Sequence, residues 1–327
     1  MPASITSIYA AWTELATTTY RQYANKTADN ISKHNALWRR LSSKGKIRQE
    51  DGGLSIVAPL EYASNSTYQR YSGFDVLNIN AVDVLTAAEY PWRQAAVNVA
   101  ASGLELRTNM GSSRIINFTK SKIANAQHSF GNNLSIDLYS DGTAANQING
   151  MQALVADAGT GTVGGINSVT FTFWQNVVQS AAAPLQGGSA ITPSATTIES
   201  LMLPLWIRLT RQGDTPDLIV SSDDYFTFYE QSQTSLKRYA PEDNGKGGMV
   251  SMKYKTADVF FDSSGGIPAA HMYFLNTDYM ELVVHSSANM EIMDELKSVN
   301  QDAVVIPILW QGNVVVSNRS LQGVLKA

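Results

Sequence analysis

The chain has 327 residues, of which 44% are hydrophobic and 16% are charged, against a typical charged share of about a quarter. This length suffices for one large domain or two ordinary ones, each with a substantial core. The chain has no cysteine, which excludes disulfides, thiolate metal sites and a cysteine nucleophile and fits a reducing cytoplasm.

The low charge is also unevenly distributed. The net charge is −4, yet residues 1–53 contain eight basic and four acidic residues, which makes this segment +4 and the remainder −8. A basic segment on an acidic body can lie on nucleic acid, lie on the acidic surface of a neighbouring subunit, or be merely solvated. A thinly charged surface suits a protein covered by copies of itself, although a secreted all-β protein has the same composition. Residues 1–6 resemble no secretory signal, and no stretch is apolar enough to span a membrane.

The first half of the chain changes character twice. Residues 4–43 have helical spacing of apolar residues and are followed by Gly45, Gly52 and Gly53. Residues 54–106 then predict strands at 56–57, 68–71, 77–81, 82–90 and 92–99, arranged as one or two long hairpins with a protruding arm. Residues 110–139 return to helical spacing, with Ile116, Ile123 and Phe130 seven apart, and predict a long helix.

The second half alternates strands and helices. We predict a short strand at 151–157 and a helix at 196–213 with a capping box formed by Thr196 and Glu199 and a glycine stop. A buried strand at 217–221 leads into a helix to about residue 237, capped by Ser222, Asp223 and Asp224. Further strands are predicted at 254–262, 272–275, 282–285, 304–310 and 313–325. This alternation indicates a compact α/β subdomain.

Catalytic and ligand motifs are sparse. The run Gly159–Gly164 matches the GxGxxG dinucleotide fingerprint, but the residues after it favour a strand where the fingerprint requires a helix. The four histidines, His34, His128, His271 and His285, form no metal-binding pattern. We therefore predict no catalytic residue, no cofactor-binding residue and no metal ligand, and a protein that is not an enzyme.

Arginine and aromatic residues interleave at Tyr68-Gln69-Arg70-Tyr71 and at Tyr90-Pro91-Trp92-Arg93. Such a mixture stacks on single-stranded nucleic acid, but it is equally typical of protein–protein interfaces. Because no further basic residues surround these segments, an interface is the favoured interpretation.

Taken in order, these parts resemble the tailed-bacteriophage major capsid proteins of the Hong Kong 97 type. The segment Tyr273–His285 is similar to the strand pair of that family's axial domain, and Gly312–Arg319 is similar to its C-terminal strand. The resemblance implies a mixed α+β fold with an N-terminal arm, an extended β-hairpin loop, a long spine helix, a peripheral domain and an axial α/β domain. The implied boundaries are 1–53 for the arm, 54–106 for the loop, 107–216 for the peripheral domain with its spine, 217–305 for the axial domain and 306–327 for the returning strands.

The resemblance implies self-assembly into pentamers and hexamers of an icosahedral shell that encloses double-stranded DNA, in a virion assembled in the bacterial host cytoplasm. Implied partners are further copies of the chain, a portal protein, packaged DNA on the inner face and no membrane. A separate scaffolding protein is expected because no long acidic or coiled-coil segment precedes the arm. Residues 47–119 contain no lysine, so we expect no covalent cross-link from a lysine of the extended loop. Shell stability would then come from non-covalent contacts or from a separate cement protein. The residues expected at inter-subunit contacts are Trp12, Arg39, Arg40, Tyr68, Arg70, Tyr71 and Phe74.

Three alternatives remain open at this point. An encapsulin-like compartment shares the fold but encloses protein cargo. A nucleotide-dependent enzyme would use Gly159–Gly164 as its ligand site. A tail or adhesin protein would also suit the many predicted strands and would form fibres or tubes.

Overall fold

A computed structural model describes residues 35–108, 118–233, 252–262, 265–294, 296–297 and 300–327. These ranges contain both helices and strands, so the predicted mixed α+β class is confirmed. The helices are α1 (Ala36–Ser43), α2 (Gly103–Thr108), α3 (Phe118–Asp137), α4 (Met151–Leu154), α5 (Ile198–Leu209) and α6 (Asp223–Ser232). The strands are β1 (Ile47–Glu50), β2 (Ser55–Glu61), β3 (Leu85–Pro91), β4 (Arg93–Ser102), β5 (Thr162–Val163), β6 (Ile166–Asn167), β7 (Val177–Ser180), β8 (Leu218–Ser221), β9 (Met252–Tyr254), β10 (Ala257–Phe261), β11 (His271–Leu275), β12 (Met280–Ile292), β13 (Leu296–Lys297), β14 (Ala303–Val316) and β15 (Gly323–Lys326).

The chain divides into two compact units. Among the described residues, the first comprises 95–108, 118–134, 288–294, 296–297 and 300–310, and the second comprises 35–94, 135–233, 252–262, 265–287 and 311–327. Of the helical segments predicted at 4–43, at 110–139 and up to about 237, residues 4–34, 110–117 and 234–237 lie outside the described residues.

The first unit has a small core between a helix and strands. Ala126 of α3 is buried together with Val99 of β4 and with Ile306 and Ile308 of β14. The predicted long helix is confirmed over 118–137, and its apolar stripe continues with Phe130, whose ring lies 6.2 Å from that of Trp310. Ile123, seven residues before Phe130, packs against the same core, because seven residues make nearly two helical turns and bring both side chains to one face.

The second unit is organised around a six-stranded sheet with the order β7-β15-β11-β8-β10-β9. All four residues of β8 are buried, as expected for a strand covered on both faces. The helices α5 and α6 pack against the sheet, and the core they share includes Leu205, Trp206, Phe226, Val259 and Phe274. The strands predicted at 217–221 and 272–275 are therefore confirmed, and the predicted stretch 254–262 contains the end of β9 and the whole of β10.

Helix α5 is shorter than predicted, and the predicted capping box is wrong. The helix spans 198–209, ends before Gly213, and its N-cap residue Thr197 makes no capping bond with its side chain. The Glu199 carboxylate accepts hydrogen bonds from Ser232 and Gln233 of the neighbouring helix and so does not reach back to the helix start. Pro204 lies inside the helix, where its missing N–H leaves the Ser200 carbonyl without its usual donor. The Gln186 Nε2 donates to that carbonyl at 3.4 Å.

The strand predicted at 151–157 is also wrong, because residues 151–154 form the short helix α4. A short apolar run does not distinguish a strand from a buried helical turn. Gly150 decides the outcome, since a Cβ at this position would lie 2.3 Å from the Ser140 N and 2.6 Å from the Asp137 carbonyl oxygen. This close approach seats α4 against the end of α3, and Met151 N donates to the Leu138 carbonyl at 2.8 Å.

Helix α6 begins at Asp223 as predicted, but the Ser222 side chain does not cap it. The Ser222 Oγ instead accepts a hydrogen bond from His271 N at 3.3 Å, which ties the start of α6 to the neighbouring strand β11. The helix ends at Ser232, earlier than residue 237.

Candidate interaction surface

The strands β2 and β3 form an antiparallel hairpin whose base is fixed to the second unit. Glu89 N donates to the Gly164 carbonyl at 3.0 Å, the Tyr90 hydroxyl donates to the Val316 carbonyl at 2.9 Å, and Asn313 Nδ2 donates to the Pro91 carbonyl at 2.8 Å. Tyr90 is fully buried, and burial raises the pKa of its phenol. Trp92 Nε1 closes the base with a 3.0 Å bond to the Gly53 carbonyl. At the other end of the paired strands the ring of Tyr62 lies 5.6 Å from that of Phe173, so the strands contact the second unit at both ends and the connecting loop extends beyond them.

Residues 62–84 connect the two strands without regular secondary structure, so the strands predicted at 68–71 and 77–81 are wrong. The path of this loop is set by side chains. The Gln69 amide donates to the Val76 carbonyl at 2.9 Å and accepts from Asn78 N at 3.1 Å, so that it brackets the two limbs of the loop. The Asp75 carboxylate accepts from Ser72 N at 2.8 Å and forms the turn at the tip. Such side-chain bonds replace the ladder that two paired strands would form.

The loop presents large apolar side chains to solvent. Phe74 is fully exposed, and Val76 and Ile79 are 90% and 91% exposed. Tyr68 and Tyr71 are exposed as well. An exposed apolar surface of this kind is unusual on a free soluble monomer and makes the loop a candidate interaction site. We name residues 62–84 the apolar loop.

Four residues predicted for inter-subunit contact, Tyr68, Arg70, Tyr71 and Phe74, lie together in the apolar loop. Val76 and Ile79 belong to the same surface and were missed. The alternation of Leu77, Ile79 and Ala81 with Asn78 and Asn80 predicts an extended strand, which the loop does not form. Trp12 lies outside the described residues.

Arg39 and Arg40 lie in α1, which begins at the N-cap Asn35, whose side chain accepts from Trp38 N at 2.8 Å. Arg39 is exposed. Arg40 Nε donates to the Asp217 carboxylate at 2.9 Å, and its Nη1 lies 3.2 Å from that of Asp258.

The basic residues that follow are paired within the chain too. Lys44 Nζ lies 3.0 Å from both Asp217 and Asp278, and Arg48 pairs with Glu50 and Glu281. Three of the eight basic residues counted in residues 1–53 therefore pair with carboxylates of the same subunit. This pairing weakens the interpretation of that segment as a nucleic-acid contact.

Asp217 is the centre of this network. Burial alone would raise the pKa of its carboxyl, but hydrogen bonds from Thr277 N and Oγ1, each at 2.7 Å, and the contacts with Lys44 and Arg40 outweigh that effect. The pKa of Asp217 is held below its ordinary value, so the carboxylate stays ionised and fastens α1 to the start of β8.

The glycine run 159–164 does not open a helix. It leads into the two-stranded hairpin β5–β6, in which Val163 pairs with Ile166. Gly164 has a φ of +58°, and a Cβ there would lie 2.7 Å from the Ala88 Cβ, so the run packs against β3 of the long hairpin. The geometry contradicts a dinucleotide site, because no helix N-terminus faces a phosphate position.

A buried cation fixes the same region. Arg319 is fully buried and donates to the carbonyls of Leu154 at 2.7 Å and Trp174 at 3.2 Å and to Ser168 Oγ at 3.1 Å. Burial lowers the pKa of its guanidinium to about 10, so it remains charged at neutral pH. Its bonds go to protein acceptors, which indicates a positioning role in the fold.

The described ranges contain neither the arrangement of a metal site nor a membrane-spanning helix. No group of three or more His, Asp or Glu side chains there has the arrangement of a metal site. Among those same residues, no helix combines the length and apolarity of a membrane span.

Similarity to known proteins is present in structure but not in sequence. No family model and no curated protein matches the chain in sequence. Solved structures do match: the cyanophage A-1(L) capsid asymmetric unit is 16% identical with a TM-score of 0.66, and the alignment covers 92% of this chain and 95% of that one. The capsid of the empty GTA particle is 11% identical with a TM-score of 0.57, covering 93% and 96%. The capsid of Myoviridae phage XM1 is 9% identical with a TM-score of 0.55, covering 93% and 95%.

The class defined by these matches is the mixed α+β fold of shell-forming capsid proteins. It is, more specifically, the fold of tailed-phage major capsid proteins, as the resemblance in the sequence predicted.

Proposed function

We propose that this chain is a major capsid protein that assembles into pentamers and hexamers of an icosahedral shell around double-stranded DNA. The observation that carries the proposal is the end-to-end match to a phage capsid, in which 92% of this chain aligns with 95% of the other. The alignment therefore spans almost the whole of both chains. The protein would act through contact surfaces and would catalyse no reaction.

The elements described above suit the parts of such a subunit. We assign residues 1–53 to the N-terminal arm, 54–106 to the extended loop, 107–216 to the peripheral domain with α3 as its spine, 217–305 to the axial domain and 306–327 to the returning strands. The hairpin β2–β3 with the apolar loop supports the second assignment, since it is anchored at its base and exposed beyond it.

The apolar loop is the proposed contact with a neighbouring subunit. Burying a side chain such as Phe74 contributes about 1.5–3 kcal/mol, and Val76 and Ile79 add comparable amounts before the cost of association. Tyr68, Arg70 and Tyr71 are residue types that dominate interface energetics. Trp12 and Arg39 remain proposed contact residues, whereas the ion pairs of Arg40 favour a role in holding the arm to its own subunit.

The proposal includes partners that the chain would meet during assembly. These are further copies of itself, a scaffolding protein, a cement protein, a portal protein and packaged DNA on the inner face of the shell. The site of action would be the virion capsid, assembled in the bacterial host cytoplasm.

Negative-stain electron microscopy of the purified chain, together with sedimentation velocity, tests the proposal. Closed shells, or rings of five and six subunits, are expected. Copurifying DNA would favour a virion, whereas a defined protein cargo would favour an encapsulin-like compartment. A stable monomer, or fibres and tubes, would refute the shell assignment.

A further inference from the structure

The outer side of α5 carries an apolar pair that the subunit itself does not cover. Leu203 and Ile207 are 42% and 60% exposed and lie one helical turn apart, so they form one patch. The other aliphatic and aromatic residues of the helix are buried. Arg208 lies beside the patch, is exposed, and forms no ion pair with any residue that the structure describes. We name Leu203, Ile207 and Arg208 the basic face.

A second surface has the opposite charge. Asp223 and Asp224 are exposed at the start of α6, and Phe261 at the end of β10 is 36% exposed. Asp223, Asp224 and Ile267 line an open cavity of about 190 Å³, and Phe261 directly precedes Asp262, another residue of its lining. The Asp224 carboxylate accepts from Ala270 N at 3.1 Å, whereas that of Asp223 has no hydrogen-bond partner among the described residues. We name Asp223, Asp224, Phe261 and Ile267 the acidic face.

The two faces lie at opposite ends of the six-stranded sheet. A Cβ on Gly323 would lie 2.7 Å from Leu209 Cδ1, so the last turn of α5 packs at the start of β15. Gly323 pairs with Phe274 at the end of β11, and Leu275 pairs with Leu218 at the start of β8. The last turn of α5, which carries Ile207 and Arg208, therefore lies towards the end of the sheet where β8 starts. The acidic face lies at the other end, since Asp223 follows β8 directly and Phe261 pairs with Ser221.

This arrangement suits a ring. A closed cyclic ring is built from heterologous contacts, in which one surface of each subunit meets a different surface of the next. Two faces at opposite ends of one subdomain, each with apolar side chains and with opposite charges, meet that requirement. Like faces would repel, so the charges also select the head-to-tail order.

Resting on the proposed function, we infer that the basic face of one subunit docks on the acidic face of the next within each pentamer and hexamer. Arg208 enters the cavity beside Asp223, where its guanidinium meets the unpartnered carboxylate. Leu203 and Ile207 pack against Phe261 and Ile267 of the neighbour. The partner is thus a second copy of this chain.

A charge-swap experiment on the full chain tests this contact. Arg208→Glu and Asp223→Arg, each alone, are expected to shift sedimentation from rings or shells to monomers. The double variant is expected to restore assembly, because the pair is re-formed with reversed charges. Arg208→Lys keeps the charge and serves as the matched control, with assembly within a few-fold of the parent. Circular dichroism and thermal unfolding of each variant check that the subunit is folded.

A second variant avoids the charges. Ile207→Gln removes exposed apolar surface, so it is expected to leave the unfolding temperature of the subunit unchanged while it lowers the yield of rings about tenfold or more. Normal assembly of Arg208→Glu or of Ile207→Gln would overturn the contact while the shell function stands. A monomeric parent chain would refute the shell function and the contact together.

Discussion

Replacing Arg319 with methionine should destabilise the subunit markedly, although it removes a buried charge. Leu154 ends α4, and Trp174 ends a 3-10 turn at 172–174, so their carbonyls lack partners in their own helices and depend on the arginine. Each buried carbonyl left without a donor costs about 1–3 kcal/mol. Relief from the desolvation of the cation offsets part of that sum, because Nη2 has no partner among the described residues. We expect Arg319→Met to lower the free energy of unfolding by about 2–4 kcal/mol.

Urea denaturation of the unassembled subunit, followed by circular dichroism, measures this loss. Arg319→Lys should be no better than methionine, because a single ammonium group keeps the charge but cannot reach both carbonyls. Arg211→Met is the matched control, since the only side-chain bond of Arg211 in the described structure is a 3.4 Å contact with Ser320 Oγ. Its effect should stay within about 0.5 kcal/mol. If Arg319→Met proved as stable as the parent, the guanidinium would cost as much as its bonds contribute and the reasoning would fail.

Three further outcomes are expected. Asp217→Asn should lower the free energy of unfolding by about 2 kcal/mol at pH 7. Because the pKa of this carboxyl is lowered in the folded state, its stabilising contribution is present above the unfolded pKa and disappears as the pH falls through the folded pKa. Urea denaturation should therefore show the stabilities of parent and variant converging in acid, and a constant gap down to about pH 2 would contradict this. Gly164→Val should lower the unfolding temperature by several degrees, because a Cβ there lies 2.7 Å from that of Ala88, whereas Gly165→Ala, with open space around its Cβ, should change it less in the same thermal scan. Limited trypsin digestion followed by mass spectrometry should show cleavage after Arg70 in free subunits and protection in assembled particles, and equal cleavage in both would exclude the apolar loop from the contact.

Elements whose residues follow a local hydrophobic pattern could be predicted from the sequence. The buried run of β8 and the seven-residue spacing of α3 led to the correct elements because each is set by which side chains enter a core. The order of these elements along the chain then pointed to the capsid fold. Of the contact surface, the aromatic and arginine residues of the apolar loop could be located from composition, yet its conformation could not.

What the sequence did not reveal depends on partners distant in the chain. Two distant contacts favour the helix at residues 151–154. Gly150 approaches the backbone of Ser140, and Arg319, 165 positions beyond Leu154, donates a hydrogen bond to the Leu154 carbonyl. The Thr196–Glu199 capping box failed for a similar reason, since a residue of α6 competes for the Glu199 carboxylate. A single sequence carries the local preferences of these residues but does not identify the distant groups that override them.

The apolar loop extends from strands that are fixed to the second unit, so a small rotation of the strands is enlarged at the tip of the loop. Twelve positions separate Tyr62, which contacts Phe173, from Phe74 at the tip, and an extended chain of that length reaches at most about 43 Å. A rotation of only about 5° at the base would carry the tip through about 4 Å, the distance between neighbouring side chains on a surface. The hydrogen bonds of Glu89, Tyr90 and Asn313 therefore limit how far the exposed side chains of the apolar loop can be displaced, because a small shift of the strands becomes a larger one at the tip.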